Sequence, residues 1–162
     1  MDHIFSPWRF QYLASAAKPA QGECVFCKIA ASDEDESEHV VYRGERNYIV
    51  LNRYPYTNGH AMVIPYEHMA RLDDAPVETV EEMMRLTQRL ETCLHKLYQP
   101  DGVNVGMNIG RAAGAGVAGH IHMHVLPRWF ADANFMTVIA ETRIVPEELG
   151  VTWRRMRDAL EV

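Results

Sequence analysis

The sequence has little cysteine, no long apolar run and no excess of basic residues. Only three of its 162 residues are cysteine, and 16 Lys and Arg stand against 22 Asp and Glu, a formal net charge of −6. No stretch approaches the roughly 18 apolar residues that a membrane-spanning helix needs. Nucleic acid and membrane surfaces attract basic proteins. The composition therefore argues against partners of both kinds.

Small anionic substrates stay compatible with this charge, because a few local arginines can hold phosphates. The first residues contain neither a basic start nor an unbroken apolar segment, so no secretory signal is predicted. An odd number of cysteines, two of them in Cys24-Val-Phe-Cys27, favours metal or thiol chemistry in a reducing compartment over a disulfide framework. We therefore expect a cytoplasmic protein.

The length predicts one domain over residues 1–162. Residues 1–21 are expected to form an N-terminal arm, because a free tail would not carry so many aromatic side chains. These aromatic residues are Phe5, Trp8, Phe10 and Tyr12. The acidic run at residues 32–38 is predicted to be a solvated loop.

The hydrophobic pattern predicts strands followed by one long helix and then further strands. Strand-like segments cover Val40–Arg43, Tyr48–Leu51, His60–Pro65 and Val103–Ile109. Asp74 is the expected cap and Pro76 the expected start of an amphipathic helix that runs to about Tyr98, with an apolar stripe that includes Val77 and Met84. A short closing helix is expected after Pro146. Strands that arrive in pairs around one helix predict an α+β protein with an antiparallel sheet.

Three histidines alternate with apolar residues at His120, His122 and His124. A strand over residues 120–126 would place the three imidazoles on one face and the residues between them on the other. The residues between and after them are Ile121, Met123 and Val125. Imidazole can act near neutral pH as a nucleophile, a general acid or base, or a metal ligand. A catalytic site is therefore favoured over a solvated polar face.

Segments spread along most of the chain match the pattern of one family. They are Cys24–Ile29, Leu51-Asn52, Asn58–Pro65, Gly106–Gly110 and the run His120–Arg128. The last of these fits the alternation His-φ-His-φ-His-φ-φ, where φ is apolar. The chain thus resembles the HIT (histidine triad) family of nucleotide-binding proteins. Ser6–Arg9 and Asp132–Phe135 resemble its bacterial diadenosine tetraphosphate phosphorylase and hydrolase branch.

The resemblance implies a HIT-like fold, with an antiparallel sheet of about five strands, usually in a homodimer. It also implies cleavage at the α-phosphate of a nucleotide through a covalent nucleotidyl-histidine. His122 then corresponds to the nucleophile, His124 to the residue that gives a proton to the leaving oxygen, and His120 to the first triad member. His60 would orient the triad. A backbone carbonyl that holds one nitrogen of a neutral imidazole leaves the other free to attack phosphorus.

The resemblance further implies a set of substrate contacts. They fall on Asn52, Asn108, Gly110, Gly114, Gly116 and Arg128. Asn108 would bind the α-phosphate and Asn52 the ribose hydroxyls. The three glycines would let the backbone approach phosphate oxygens, although such a loop is as often a plain turn. Arg128 and Arg111 would either neutralise distal phosphates or form surface salt bridges.

The cysteine pair has the spacing of half a tetrahedral zinc site. Relatives with this pair complete the site with two histidines, which correspond here to His68 and His120. The resemblance therefore implies a structural zinc held by Cys24, Cys27, His68 and His120. A redox pair and a pair of inert buried thiols are the alternatives.

Three positions depart from the family pattern. Gly116 and Val117 stand where many HIT hydrolases carry Gln and then Ser or Thr, and Gly119 stands where the phosphorylase-like branch is usually acidic. The absence of Gln and Ser or Thr at positions 116 and 117 favours, as the leading hypothesis, cleavage of diadenosine polyphosphates with phosphate or water as acceptor. Hydrolysis of nucleoside phosphoramidates or adenylyl adducts is the second hypothesis, and non-catalytic nucleotide binding the third.

Overall fold

The computed structural model describes residues 24–130, 132 and 146–160. Its strands are β1 (Val40–Arg43), β2 (Asn47–Leu51), β3 (Ala61–Pro65), β4 (Gly102–Gly106) and β5 (Met123–Arg128). Its α-helices are α1 (Val25–Ala31), α2 (Asp35–Glu38), α3 (Val77–Tyr98) and α4 (Leu149–Leu160). The expected α+β class is confirmed. The N-terminal arm and the Ser6–Arg9 segment lie outside the described residues, as does most of Asp132–Phe135.

All five strands pair antiparallel in one sheet, in the order β1-β2-β3-β5-β4. The strand that carries His124 therefore lies inside the sheet. His124 is opposite Met62 on β3 and opposite Gly106 on β4. Pairing on both sides fixes the backbone of this histidine, and with it the direction of its side chain.

Each face of the sheet has its own apolar cluster. Alternate residues of β2 divide between them, because successive side chains of a strand point to opposite faces. Ile49 and Leu51 pack with α3 and α4, whereas Tyr48 and Val50 pack with Phe26 of α1 on the other face. The helices α3 and α4 thus cover one face and leave the other to α1 and the loops. Among the described residues, no helix is long and apolar enough to span a membrane.

The long helix is confirmed, but its predicted cap and part of its apolar stripe are wrong. Asp74 ends a short 3-10 turn, and Pro76 occupies the N-cap position with no side-chain hydrogen bond. Val77 and Met84 are exposed, at 68% and 46%. The reason is that the first two turns direct Thr79 and Glu82 inward instead.

The acidic run is exposed to solvent as predicted, but it is not all loop, because residues 35–38 form α2. The Asp35 carboxylate accepts a hydrogen bond from Arg43 Nε at 2.8 Å and lies 3.5 Å from Arg157. These cations belong to β1 and α4. Tertiary ion pairs therefore hold a segment whose composition alone favours solvent.

Three strands are shorter than predicted, and β3 lacks only its predicted first residue, His60. β5 begins at Met123 and not at residue 120, because the Ile121 N–H donates to the Met69 carbonyl at 2.8 Å instead of to a neighbouring strand. β4 ends at Gly106 and not at residue 109. The predicted division of faces is nevertheless confirmed: Ile121, Met123 and Val125 join the cluster on the α3 side.

A buried carboxylate connects α3 to the turn between β1 and β2. Glu82 accepts hydrogen bonds of 2.8 Å from the Glu45 and Arg46 backbone N–H groups and of 2.7 Å from Asn47 Nδ2. Burial alone would raise the pKa of Glu82, but these hydrogen bonds outweigh it and lower the pKa below 4.5. Gly44 leaves room for this contact, since a Cβ there would lie 2.7 Å from Glu82 Oε1.

We predict that Glu82→Gln lowers the free energy of unfolding by about 1–3 kcal/mol at pH 7, because the neutral amide loses charge-assisted hydrogen bonds. A lowered folded-state pKa stabilises the fold above the unfolded pKa, and this contribution is lost as the pH falls through the folded pKa. The difference from wild type should therefore shrink under acid conditions. Urea unfolding at several pH values measures it.

The control is Glu81→Gln, which removes an exposed carboxylate from the same helix turn. Glu81 makes only a 3.9 Å ion pair with Arg85. Such surface pairs contribute about 0–1 kcal/mol. Equal losses in the two variants would show that the hydrogen bonds of Glu82 add nothing to stability.

Candidate functional site

A cavity of about 570 Å³ opens on the sheet face opposite α3, and His122 and His124 line it. Val25, Phe26 and Ile29 of α1 form an apolar wall, and Val50 and Met62 contribute from the sheet. The volume lies within the range of small-molecule sites, which combine apolar walls with a few polar groups. Residues of six different segments meet here, so only the tertiary structure creates the cavity.

A backbone carbonyl holds the middle histidine in one tautomer. His122 Nδ1 lies 2.8 Å from the His120 carbonyl oxygen, which can only accept, so Nδ1 carries the proton. The Nε2 atom therefore keeps a free lone pair. The ring is 4% exposed, and burial lowers the pKa of His122. The result is a neutral imidazole in its nucleophilic form.

A chain of hydrogen bonds sets the opposite tautomer in the third histidine. The Tyr56 backbone N–H donates to His60 Nδ1 at 3.1 Å, so the His60 proton resides on Nε2. His60 Nε2 in turn lies 2.9 Å from His124 Nδ1 and donates to it. His124 consequently carries its proton on Nε2. The two cavity histidines thus differ chemically, one with a free lone pair on Nε2 and the other with a proton there.

The rings of His122 and His124 are both neutral at pH 7 in the free protein, because the pKa of each is lowered from 6.5. Burial, followed by the nearby His122, lowers the pKa of His124 to about 4. The Tyr56 ring lies nearly parallel to the His124 ring, with a centroid distance of 6.2 Å. A bound anion would oppose this shift, because negative charge favours the protonated imidazole.

The structure brings some of the expected substrate residues to the cavity and leaves others outside it. Asn52, Asn108, Gly114 and Gly116 belong to the lining. Gly110 does not, although its φ of +80° suits glycine. Arg128 also lies outside the lining: it bonds Asp132 through Nε and Nη2, and Asn104 through Nη1. These contacts match the surface salt-bridge alternative for Arg128.

The apolar wall of α1 and a charged pair at the rim were missed by the sequence reasoning. Glu38 and Arg53 also line the cavity, 3.7 Å apart. The apolar spacing of Val25, Phe26 and Ile29 is a helical signal that could have revealed α1. No local signal indicates the Glu38–Arg53 contact, because it joins distant segments.

The four residues of the expected metal site come together in a cluster. The ligand atoms of Cys24, Cys27, His68 and His120 all lie within 4.8 Å of one another. His120 Nδ1 is 3.4 Å from Cys24 Sγ and 3.6 Å from Cys27 Sγ, and His68 Nδ1 is 3.2 Å from Cys27 Sγ. The edges of a zinc tetrahedron with two sulfur and two nitrogen ligands measure about 3.3–3.8 Å. The donor set therefore fits zinc.

The tautomer of His120 suits the same ion. Its Nε2–H donates to the Pro65 carbonyl at 2.9 Å, which leaves the Nδ1 lone pair directed at the two sulfurs. Such a second contact is the usual way to orient a metal-binding imidazole. Gly119 lies next to the cluster, since a Cβ there would be 3.7 Å from His68 Nε2. A larger residue at position 119 would thus contact His68 of the cluster.

Fold, cavity and histidine arrangement together define a histidine triad protein, and the comparisons establish the family. The HIT domain pattern matches residues 33–131. The chain belongs to the HIT family.

Several relatives resemble it over most of their length. The "AP-4-A phosphorylase" of Mycobacterium tuberculosis is 39% identical over 163 residues, which cover 95% of this chain and 82% of the relative. A Zn-bound histidine triad family protein from Mycobacterium smegmatis superposes with a TM-score of 0.70 at 34% identity, over 86% of this chain and 94% of its own. A hypothetical histidine triad nucleotide-binding protein from Sulfolobus tokodaii superposes with a TM-score of 0.69 at 27% identity. The match covers 85% of this chain and 92% of that protein.

We predict that the His124 ring is neutral at pH 7, with its proton on Nε2, and protonates near pH 4 rather than near the ordinary 6.5. Nitrogen-15 NMR of the ring measures the tautomer and the titration. His60→Ala removes the donor to Nδ1 and should abolish the tautomer preference. A proton on Nδ1 in the wild type, or no change in the variant, would contradict the hydrogen-bond chain.

Proposed function

We propose that the protein cleaves diadenosine polyphosphates at the α-phosphate through a covalent nucleotidyl-His122. The supporting observation is the contrast between His122, whose Nε2 has a free lone pair, and His124, whose Nε2 carries a proton, at one cavity. The name of the Mycobacterium tuberculosis relative supports a dinucleotide as substrate.

The reaction consists of two displacements. The His122 Nε2 lone pair forms a bond to the α-phosphorus, and the bond to the bridging oxygen breaks. His124, protonated on both ring nitrogens once the charge of the bound phosphates has raised its pKa, gives its Nε2 proton to that oxygen and becomes neutral again, a contribution worth roughly 10²–10⁴ in rate. With diadenosine tetraphosphate, ATP leaves and AMP stays on His122. Phosphate as the second nucleophile then yields ADP, whereas water yields AMP.

The cavity lining suggests how the nucleotide binds. The apolar wall of Val25, Phe26 and Ile29 suits the base, and Asn52, which lines the same cavity 3.3 Å from His60, would hold the ribose hydroxyls. Asn108 and the backbone at Gly114 and Gly116 also line the cavity and would contact phosphate oxygens. The charge of the bound phosphates would raise the pKa of His124 and so prepare the proton that the leaving oxygen needs.

We also propose a structural zinc at Cys24, Cys27, His68 and His120. When bound, it would be held by four protein ligands and would cross-link α1 to the segment before β5. The Zn-bound Mycobacterium smegmatis structure and the Cys/His cluster support this proposal.

Protein purified without a histidine tag should contain one zinc per chain by mass spectrometry of the metal. Cys27→Ser should lose stoichiometric zinc because only three ligands remain. Cys93→Ala is the control: Cys93 is buried in the core on the α3 side and should leave the zinc content unchanged. Metal-free, fully folded wild type would refute the site.

One domain and a homodimer complete the proposal. Both apolar clusters pack on the same sheet, which supports one domain. β4 is an edge strand, and Val105 on it is 46% exposed. An exposed apolar edge suits pairing with a second copy. A cytoplasmic location remains our expectation.

The decisive experiment is product analysis by ion-exchange chromatography after incubation with diadenosine tetraphosphate. ADP and ATP formed only with inorganic phosphate would identify a phosphorylase. AMP and ATP formed without it would identify a hydrolase. His122→Ala should lower turnover roughly 10⁴-fold, because the nucleophile is lost while the cavity remains.

His95→Ala is the matched control, since His95 is exposed on α3 and does not belong to the cavity lining. It should retain full turnover. If His122→Ala were as active as this control, the covalent role of His122 would be wrong. Wild-type protein that binds AMP but cleaves no dinucleotide would instead support a binding role.

A further inference from the structure

The helix α1 is a wall shared by the cavity and the cysteine–histidine cluster. Cys24 is its N-cap residue, and Cys27 lies within its first turn. The residues between and after the two cysteines, Val25, Phe26 and Ile29, line the cavity. α1 is only seven residues long. Its residues therefore contact both sites within two turns of helix.

Phe26 is in contact with both sites at once. Its ring centroid lies 4.9 Å from that of His122 and 5.6 Å from that of His120, with an edge-on angle of 89° to His120. The Phe26 carbonyl accepts a 2.9 Å hydrogen bond from the buried Tyr48 hydroxyl, which anchors the residue to β2. A shift of the two cysteines relative to His120 would therefore move the Phe26 ring against the ring of His122.

We propose that Phe26 is a positioning residue that couples metal binding at the cysteine–histidine cluster to nucleotide binding in the cavity. The inference rests on the proposed function in that the cavity ligand is a nucleotide, but it requires binding and not turnover. A metal ion held by all four ligands fixes α1 in place. A nucleotide that packs against α1 then binds more tightly, because less conformational entropy of α1 is lost when it binds.

Thermodynamic linkage makes this coupling reciprocal. If zinc increases the affinity for AMP by some factor, AMP must increase the affinity for zinc by the same factor. Calorimetry with AMP on zinc-loaded and chelator-treated full-length protein measures the first ratio. Competition for zinc with a chromophoric chelator, with and without saturating AMP, measures the second. We expect equal ratios in the range of roughly 5–150-fold.

Two cavity variants separate coupling from simple contact. Phe26→Leu keeps all four ligands and an apolar side chain but loses the ring contacts, so its coupling ratio should fall towards 1. Met62→Leu is the control, because Met62 lines the same cavity from β3. It should weaken AMP binding and leave the coupling ratio at the wild-type value. A purely structural role of Phe26 would change AMP affinity alike in both metal states.

A second measurement applies if the zinc-free chain does not fold. Cobalt(II)-loaded protein has a visible absorption band that reports on the ligand geometry. AMP should shift this band in wild type and in Met62→Leu, but not in Phe26→Leu. Equal AMP affinities with and without zinc in folded protein, or an equal band shift in Phe26→Leu, would overturn the coupling. Coupling without dinucleotide cleavage would leave the inference intact and refute only the proposed reaction.

Discussion

The hydrogen bond from His122 Nδ1 to the His120 carbonyl is the contact on which the rest of the site depends. At 2.8 Å it determines which nitrogen of His122 is free, and it connects the cavity to the cysteine–histidine cluster through one residue. His120 has four polar contacts: its backbone N–H donates to the Val117 carbonyl, its own carbonyl accepts from His122, its Nε2–H donates to the Pro65 carbonyl, and its Nδ1 faces the two sulfurs. Each polar group of His120 thus has a defined partner, and these contacts together fix the orientation of its ring and backbone.

The sheet makes this arrangement possible because the main apolar core lies on one of its faces and the cavity on the other. α3 and α4 bury an apolar core on one face, with Leu90, Leu94 and Met156 inside it. The other face can then hold polar rings in a partly dry environment. Burial keeps those imidazoles neutral and lowers the pKa of His124 to about 4. The site therefore contains little fixed charge of its own, and an anionic ligand would bring the charge that changes its protonation.

Each error of the sequence reasoning has an identifiable structural cause. Asp74 has the chemistry of a cap, but the chain leaves the 3-10 turn in an extended conformation at Ala75 and Pro76, so the helix begins later. The acidic run forms α2 because Arg43 and Arg157 neutralise Asp35. Arg128 lies near the triad in sequence, but Asp132 and Asn104 hold its guanidinium away from the cavity. For the acidic run and for Arg128, side-chain contacts that form in the folded chain override the local preference, whereas the start of α3 is set by the backbone conformation next to Asp74.

The sequence by itself determined the fold class, the long helix and the division of Ile121, Met123 and Val125 from the histidines, because strand and helix periodicity depend only on local spacing. It also identified the cysteine–histidine ligand set, through family resemblance. Only the tertiary structure decided the tautomers of His122 and His124, the wall built by α1 and the position of Phe26 between the two sites. Those features arise from contacts between residues up to 96 positions apart, such as that of Cys24 with His120, and no local pattern encodes such distances.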